Sequence, residues 1–183
     1  MQRAIRAGGR LACISAAESF GLWRPPDLRV HAHFDRARSR ARGEVVRHWW
    51  PAVDRGDPTR TGLLDTLAHV VRCQPRPFAV AVLDSALHGG LVTLTEIDVL
   101  LERVPARHRM PLAMLDARAE SGIESLTRFA LSAAGLRCES QVNIPGVGRV
   151  DLLVEGRVVV EVDGRRWHEG QQSRDYARDL AAQ

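Results

Sequence analysis

The sequence predicts a mixed α/β (α+β) fold whose C-terminal part runs helix, antiparallel strands, helix. Three observations carry that expectation. Two β-branched runs at 150–154 and 158–162 flank Glu155-Gly156-Arg157, which reads as a hairpin. Ahead of them Ser121 opens an amphipathic segment with Ile123, Leu126, Phe129, Ala130 and Ala133 at helical spacing, closed by Gly135. Behind them, residues 173–183 start a further helix. A chain of 183 residues is long enough for one domain or two small ones with a substantial core.

Residues 1–57 read as a basic, small α/β segment. Ser15 is placed to cap a short helix over 16–20, and Pro25-Pro26 breaks the chain. Residues 28–34 alternate as a strand, with Leu28, Val30, Ala32 and Phe34 on one face and Arg29, His31 and His33 on the other. A loop carrying Arg36, Arg38, Arg40 and Arg42 leads to a second strand over 44–50. Asp57-Pro58 marks a boundary, and residues 58–117 read as a helical linking region. Thr61 would cap a helix over 62–73, which Pro75 and Pro77 stop. A second helix covers 78–87 and ends at Gly89-Gly90. Thr93-Leu-Thr-Glu is a capping box for a third, and 110–117 is expected to be helical too. Residues 118–183 form the last unit, with a strand at 142–144 and a turn at Pro145-Gly-Val-Gly.

Composition is that of a globular protein, with 45% hydrophobic and 26% charged residues. No apolar run approaches the ~18 residues a membrane span needs, and no apolar stretch follows the arginines near Met1 as a secretory signal requires. Cys13, Cys73 and Cys138 are scattered without CxxC spacing. They read as buried thiols of a reducing cytoplasm, not as a disulfide frame or zinc site. All the basic side chains are arginine. Residues 1–60 carry 12 of them against 6 acids, and residues 61–183 carry 14 against 16. A basic front and an acidic back fit a protein that meets phosphate with one part and holds a cation with another.

Alternation aims three acids, Asp151, Glu161 and Asp163, at a buried surface. Buried carboxylates are costly unless a cation meets them. For Asp151 to share an ion with Glu161 both must lie on one face. A two-residue loop would pair Val150 with Glu161, whereas the three-residue loop Glu155-Gly156-Arg157 pairs Asp151 with Glu161. Glu124 can complete an all-oxygen site suited to Mg²⁺ or Mn²⁺. Its other reading is a solvated helix-face acid paired with Arg128 at i, i+4. Asp163-Gly164 also has two readings, as turn chemistry or as part of the site. His168 is a candidate proton shuttle, or an interfacial histidine beside Trp167. His31, His33 and His48 could cluster, but no acid or cysteine joins them at ligand spacing, so they are read as structural.

The order helix-Glu, strand-Asp, Glu-X-X resembles the PD-(D/E)XK nuclease core, a restriction-endonuclease-like fold. Ser121-Gly-Ile-Glu-Ser, Gly148-Arg-Val-Asp-Leu-Leu-Val and Val160-Glu-Val-Asp-Gly-Arg-Arg-Trp-His resemble, more narrowly, an actinobacterial family. Its members carry a very-short-patch-repair-endonuclease-like domain, and some are labelled antitoxins of the abortive-infection (AbiEi-like) type. The resemblance covers 119–183 most strongly and continues through Gly8-Gly-Arg-Leu-Ala-Cys-Ile-Ser-Ala-Ala and Leu83-Asp-Ser-Ala-Leu-His. It implies Asp151 and Glu161 as metal carboxylates, Glu124 as the helix acid and His168 as the catalytic histidine. Asp175, Arg178 and Asp179 look like the start of the family's last helix. Three departures follow. Asp163 stands where the Glu-X-Lys lysine is expected, leaving the cationic role to the metal, His168, Arg165 or Arg166. The winged-helix segment that usually begins the family, and the strand after its last helix, are both missing, so the chain reads as shortened at each end.

These readings lead to two expectations. The first is an endonuclease, a phosphodiester hydrolase acting on DNA with Mg²⁺ or Mn²⁺ bound by Asp151, Glu161 and the Val162 carbonyl. The arginines at 36–42, with Arg165 and Arg166, would grip the DNA backbone. The second is a catalytically inactive DNA-binding or toxin–antitoxin regulator on the same scaffold.

Overall fold

The computed structural model of the chain describes residues 2–35, 45–51, 53–54 and 56–162. It is mixed α/β, with two three-stranded sheets and a set of helices between them in sequence. The front holds α1 (Gln2–Arg6), β1 (Arg10–Leu11), α2 (Cys13–Ala17), β2 (Val30–His33) and β3 (Val45–His48). β2 is central, antiparallel to β1 and parallel to β3, with His33 opposite His48. The helical middle holds α3 (Leu63–Cys73), α4 (Arg76–His88) and α5 (Leu94–Arg103). The back holds α6 (Gly122–Ala133) and the meander β4 (Cys138–Ile144), β5 (Gly148–Val154) and β6 (Val158–Val160). None of the described helices is long and apolar enough to cross a membrane.

β2 is buried on both faces. Ala32 and Phe34 join an apolar cluster with Ala4, Leu11 and Ala16. The opposite face, His31 and His33, is buried as well, because α3 lies against it and brings His69 within 5.3 Å of the His33 ring. Ser15 does not cap the short helix. α2 starts earlier, at Cys13, and Ser15 Oγ accepts the His31 N–H at 2.9 Å.

The helical middle follows its sequence signals with two exceptions. Thr93 and Glu96 form both bonds of the capping box at the start of α5. Thr61, however, is not a cap: Gly62 holds that position, and the Thr61 hydroxyl pairs with that of Thr66 at 2.8 Å. Residues 110–117 are not an α-helix either. Only a 3₁₀ turn forms, at Leu112–Met114, with Pro111 at its start and Leu115 back in extended conformation. The loop is fastened from outside, by Asp116 N–H to Asp84 and by Arg128 to the Met114 carbonyl, each at 2.8 Å.

One hydrophobic cluster spans Asp57-Pro58. Cys13, Ile14 and Leu22 pack with Leu67, Val70, Leu83 and Ile97. The segment after Pro58 is also stitched to β1, since Leu11 donates to the Thr59 carbonyl and accepts from Thr61 N–H, both at 2.8 Å.

The buried face of α6 differs from the apolar stripe expected of it. Gly122, Glu124, Ser125 and Arg128 are buried, while Ile123, Ala130 and Ala133 are exposed and Phe129 is half-buried against the core. The reason is polar complementarity with α4 and β4: Arg128 meets Asp84, and Glu124 meets Gln141. Gly122 is needed for close approach, because a Cβ there would fall 2.2 Å from the Trp23 ring.

Candidate functional site

Ser121 is the N-cap of α6, its Oγ accepting the Glu124 N–H at 3.1 Å. That fixes Glu124 in the first turn, where its Oε2 accepts from the Glu120 N–H at 3.0 Å. Glu124 is 5% exposed. It makes no solvated pair with Arg128, so the surface reading of this acid is overturned. Arg149 of β5 clasps Glu120 with both terminal nitrogens, at 2.8 and 3.0 Å, tying the start of α6 to the hairpin.

The hairpin has the three-residue loop. Val154 pairs with Val158, Arg157 N–H bonds the Val154 carbonyl, and Glu155 and Gly156 take left-handed φ of 53° and 67°. The register Leu152↔Val160, extended by one residue, sets Glu161 opposite Asp151. Asp151 is half-buried, and its Oδ2 accepts the Val162 N–H at 2.8 Å. Glu161 lies just past the end of β6 and is exposed, where alternation within an apolar run had placed it at a buried surface. The ladder stops at Val160, so the acid sits at the sheet margin.

Gln141 of β4 is the residue sequence reasoning missed. Its Nε2 donates to Glu124 Oε2 at 2.9 Å and lies 3.4 Å from Asp151 Oδ1. One amide therefore brings together carboxylates from α6 and β5. Gln141 has a φ of 55°, a left-handed backbone rare for a non-glycine residue. The neighbouring pairs Ser140↔Leu152 and Val142↔Val150 set it opposite Asp151, a placement that the turn at 145–148 could have suggested. Its Oε1 is buried with no hydrogen-bond partner among the described residues.

Asp163, His168, Arg165 and Arg166 lie outside the described residues, as do Arg36, Arg38, Arg40, Arg42 and the last predicted helix. On the front sheet, an open cleft of about 950 Å³ is lined by Arg10, His33, Trp49, Trp50 and Asp57 among others, and shares no residue with the acid cluster.

The histidines read as structural have cysteine neighbours. Ligand atoms of Cys13, His31, His48 and Cys73 lie within 4.8 Å of one another. The four residues come from α2, β2, β3 and α3 in turn. Comparison of the chain with family models, curated proteins and solved structures finds no match to any of them.

Proposed function

We propose that the chain is a metal-dependent phosphodiesterase acting on DNA, with Glu124, Asp151 and Glu161 as its working acids. The observation that carries the reading is the Gln141 amide, 2.9 Å from Glu124 and 3.4 Å from Asp151. Two carboxylates from separate elements converge there, and a third, Glu161, follows in register. The donor set is all oxygen, which suits Mg²⁺ or Mn²⁺. Gln141 Oε1, buried without a hydrogen-bond partner among the described residues, adds a carbonyl oxygen that a cation would satisfy.

Asp151, Glu161 and the Val162 carbonyl would hold the ion. When bound, it supplies an activated water and neutralises charge on the scissile phosphate. The chain's own residues do the positioning. The Val162 N–H fixes one Asp151 oxygen, leaving the other toward Gln141. Ser121 and the Glu120 N–H hold Glu124 in place. His168 would orient water or protonate the leaving oxygen, and the arginines at 36–42 with Arg165 and Arg166 would bind DNA phosphates in a salt-sensitive way.

Plasmid nicking with Mg²⁺ or Mn²⁺ tests the reading. Asp151→Ala should abolish it, and nicking that survives in that variant overturns the assignment. Asp163 in the place of the family's lysine favours one second reading, an inactive DNA-binding or toxin–antitoxin regulator. Salt-dependent DNA binding without cleavage under any divalent ion would select it.

A further inference from the structure

We propose that Cys13, His31, His48 and Cys73 form a structural zinc site that pins α2, β2, β3 and α3 together. The site is independent of the acid cluster and of the proposed nuclease activity.

The donor set and its spacing suit a tetrahedral S₂N₂ site. With Zn–S near 2.3 Å and Zn–N near 2.0–2.1 Å, tetrahedral ligand atoms stand roughly 3.3–3.8 Å apart. His31 Nδ1 and His48 Nε2 are 3.1 Å apart, Cys73 Sγ is 3.8 Å from His31 Nδ1, and all four ligand atoms lie within 4.8 Å of one another. Two thiolates and two neutral imidazoles balance a divalent zinc ion, so the loaded site is neutral. Neutrality matters because Cys13 and His31 are fully buried. Four protein ligands leave no open position, which is the pattern of a structural rather than a catalytic zinc.

The surroundings fit the same ion. His31 Nε2, the ring nitrogen turned away from the cluster, lies 3.5 Å from Asp27 Oδ2. A carboxylate behind a ligating histidine is the usual device for fixing its tautomer and raising its basicity. Gln74 Nε2 donates to both sulfurs, at 3.7 Å to Cys13 and 3.5 Å to Cys73, as thiolates require. Cys13 also takes a φ of 51°, a left-handed backbone unfavourable for a non-glycine residue. Strain of this kind collects at functional sites. Entry is available, since Cys73 is exposed and a cleft of about 210 Å³ lined by Asp27, Arg29, Cys73 and Gln74 among others opens beside it.

The ligands stand 18, 17 and 25 positions apart along the chain, from Cys13 through His31 and His48 to Cys73. No short spacing motif results, which is why the scattered cysteines read as isolated thiols.

The test is metal analysis of the full chain, purified without chelator under reducing conditions after expression in zinc-supplemented medium. Wild type and Cys138→Ser should each carry about one zinc ion per chain. Cys73→Ser and His48→Gln should lose most of it. Cobalt-loaded wild type should show visible ligand-field bands and thiolate-to-cobalt charge transfer, both absent in Cys73→Ser. Because Cys73 is exposed, Cys73→Ser serves where Cys13→Ser fails to fold. Zinc content unchanged in Cys73→Ser and His48→Gln overturns the proposal. So does a folded wild-type chain that takes up neither metal, or one that carries a Cys13–Cys73 disulfide in place of the ion.

Discussion

Arg128 donates to Asp84 at 2.8 Å, not to Glu124 one helical turn before it. Both side chains are buried, Asp84 fully and Arg128 to 8% exposure. Burial pushes the Asp84 carboxyl up, even with Arg128 and the Asp116 N–H holding its charged form. Removing one partner of such a pair leaves an uncompensated buried charge, at a cost of about 3–5 kcal/mol. Arg128→Met should therefore destabilise the chain by roughly that amount in urea unfolding. Adding Asp84→Asn to it should recover part of the loss, because the stranded charge is gone. A double mutant as unstable as the sum of the two single changes would mean that the pair is not coupled.

The same pair shows what was legible in the sequence and what was not. The hairpin from Val150 to Val160 is local: β-branched runs and a three-residue loop specify it, and the register Val154↔Val158 to Leu152↔Val160 follows from loop length alone. The Thr93 capping box is local for the same reason. The buried face of α6 is not. Its partners, Asp84 and Gln141, lie 44 and 17 residues away in sequence, so helical periodicity selected the apolar stripe while tertiary contacts buried the polar one. Gln141 joins the site through a left-handed backbone in mid-strand, for which a non-glycine residue carries no sequence signal.

Glu124 holds the start of α6 as well as facing Asp151. Glu124→Ala removes the acceptor for both Glu120 N–H and Gln141, and should cost about 1–3 kcal/mol. Glu124→Gln keeps a carbonyl oxygen there and should cost less in stability. If Glu124 also works in metal-dependent cleavage, Glu124→Gln should still impair nicking while remaining folded. Equal stability of Glu124→Ala and wild type would show that these hydrogen bonds contribute nothing to the fold.

Gly122 is fixed by its neighbour rather than by its backbone. The Trp23 ring stands where a Cβ would go, at 2.2 Å, and the Trp23 backbone is itself held, its N–H donating to Ser85 Oγ at 3.0 Å. Gly122→Ala must displace the indole from between α4 and α6. The expected loss is about 1–3 kcal/mol, the range for overpacking. Tryptophan emission should shift at the same time. Gly122→Ala with wild-type unfolding and emission would mean that Trp23 repacks freely.

Asp57 offers a test by pH. Its Oδ1 accepts from Thr59 N–H at 2.7 Å, from the Thr59 hydroxyl and from Arg60 N–H at 3.1 Å. The Thr59 bonds, chiefly that of its hydroxyl, pull the carboxyl from its ordinary 3.8 down to about 2. A carboxylate whose folded pKa lies below its unfolded one stabilises the fold fully above the unfolded value. Its contribution disappears as pH falls from 3.8 through about 2. Carboxyl-carbon NMR should show Asp57 titrating near 2 in the wild-type chain, and Thr59→Val should move the midpoint up toward 3.8. A wild-type midpoint already at 3.8 would mean that the turn between β3 and α3 does not hold Asp57 in this geometry.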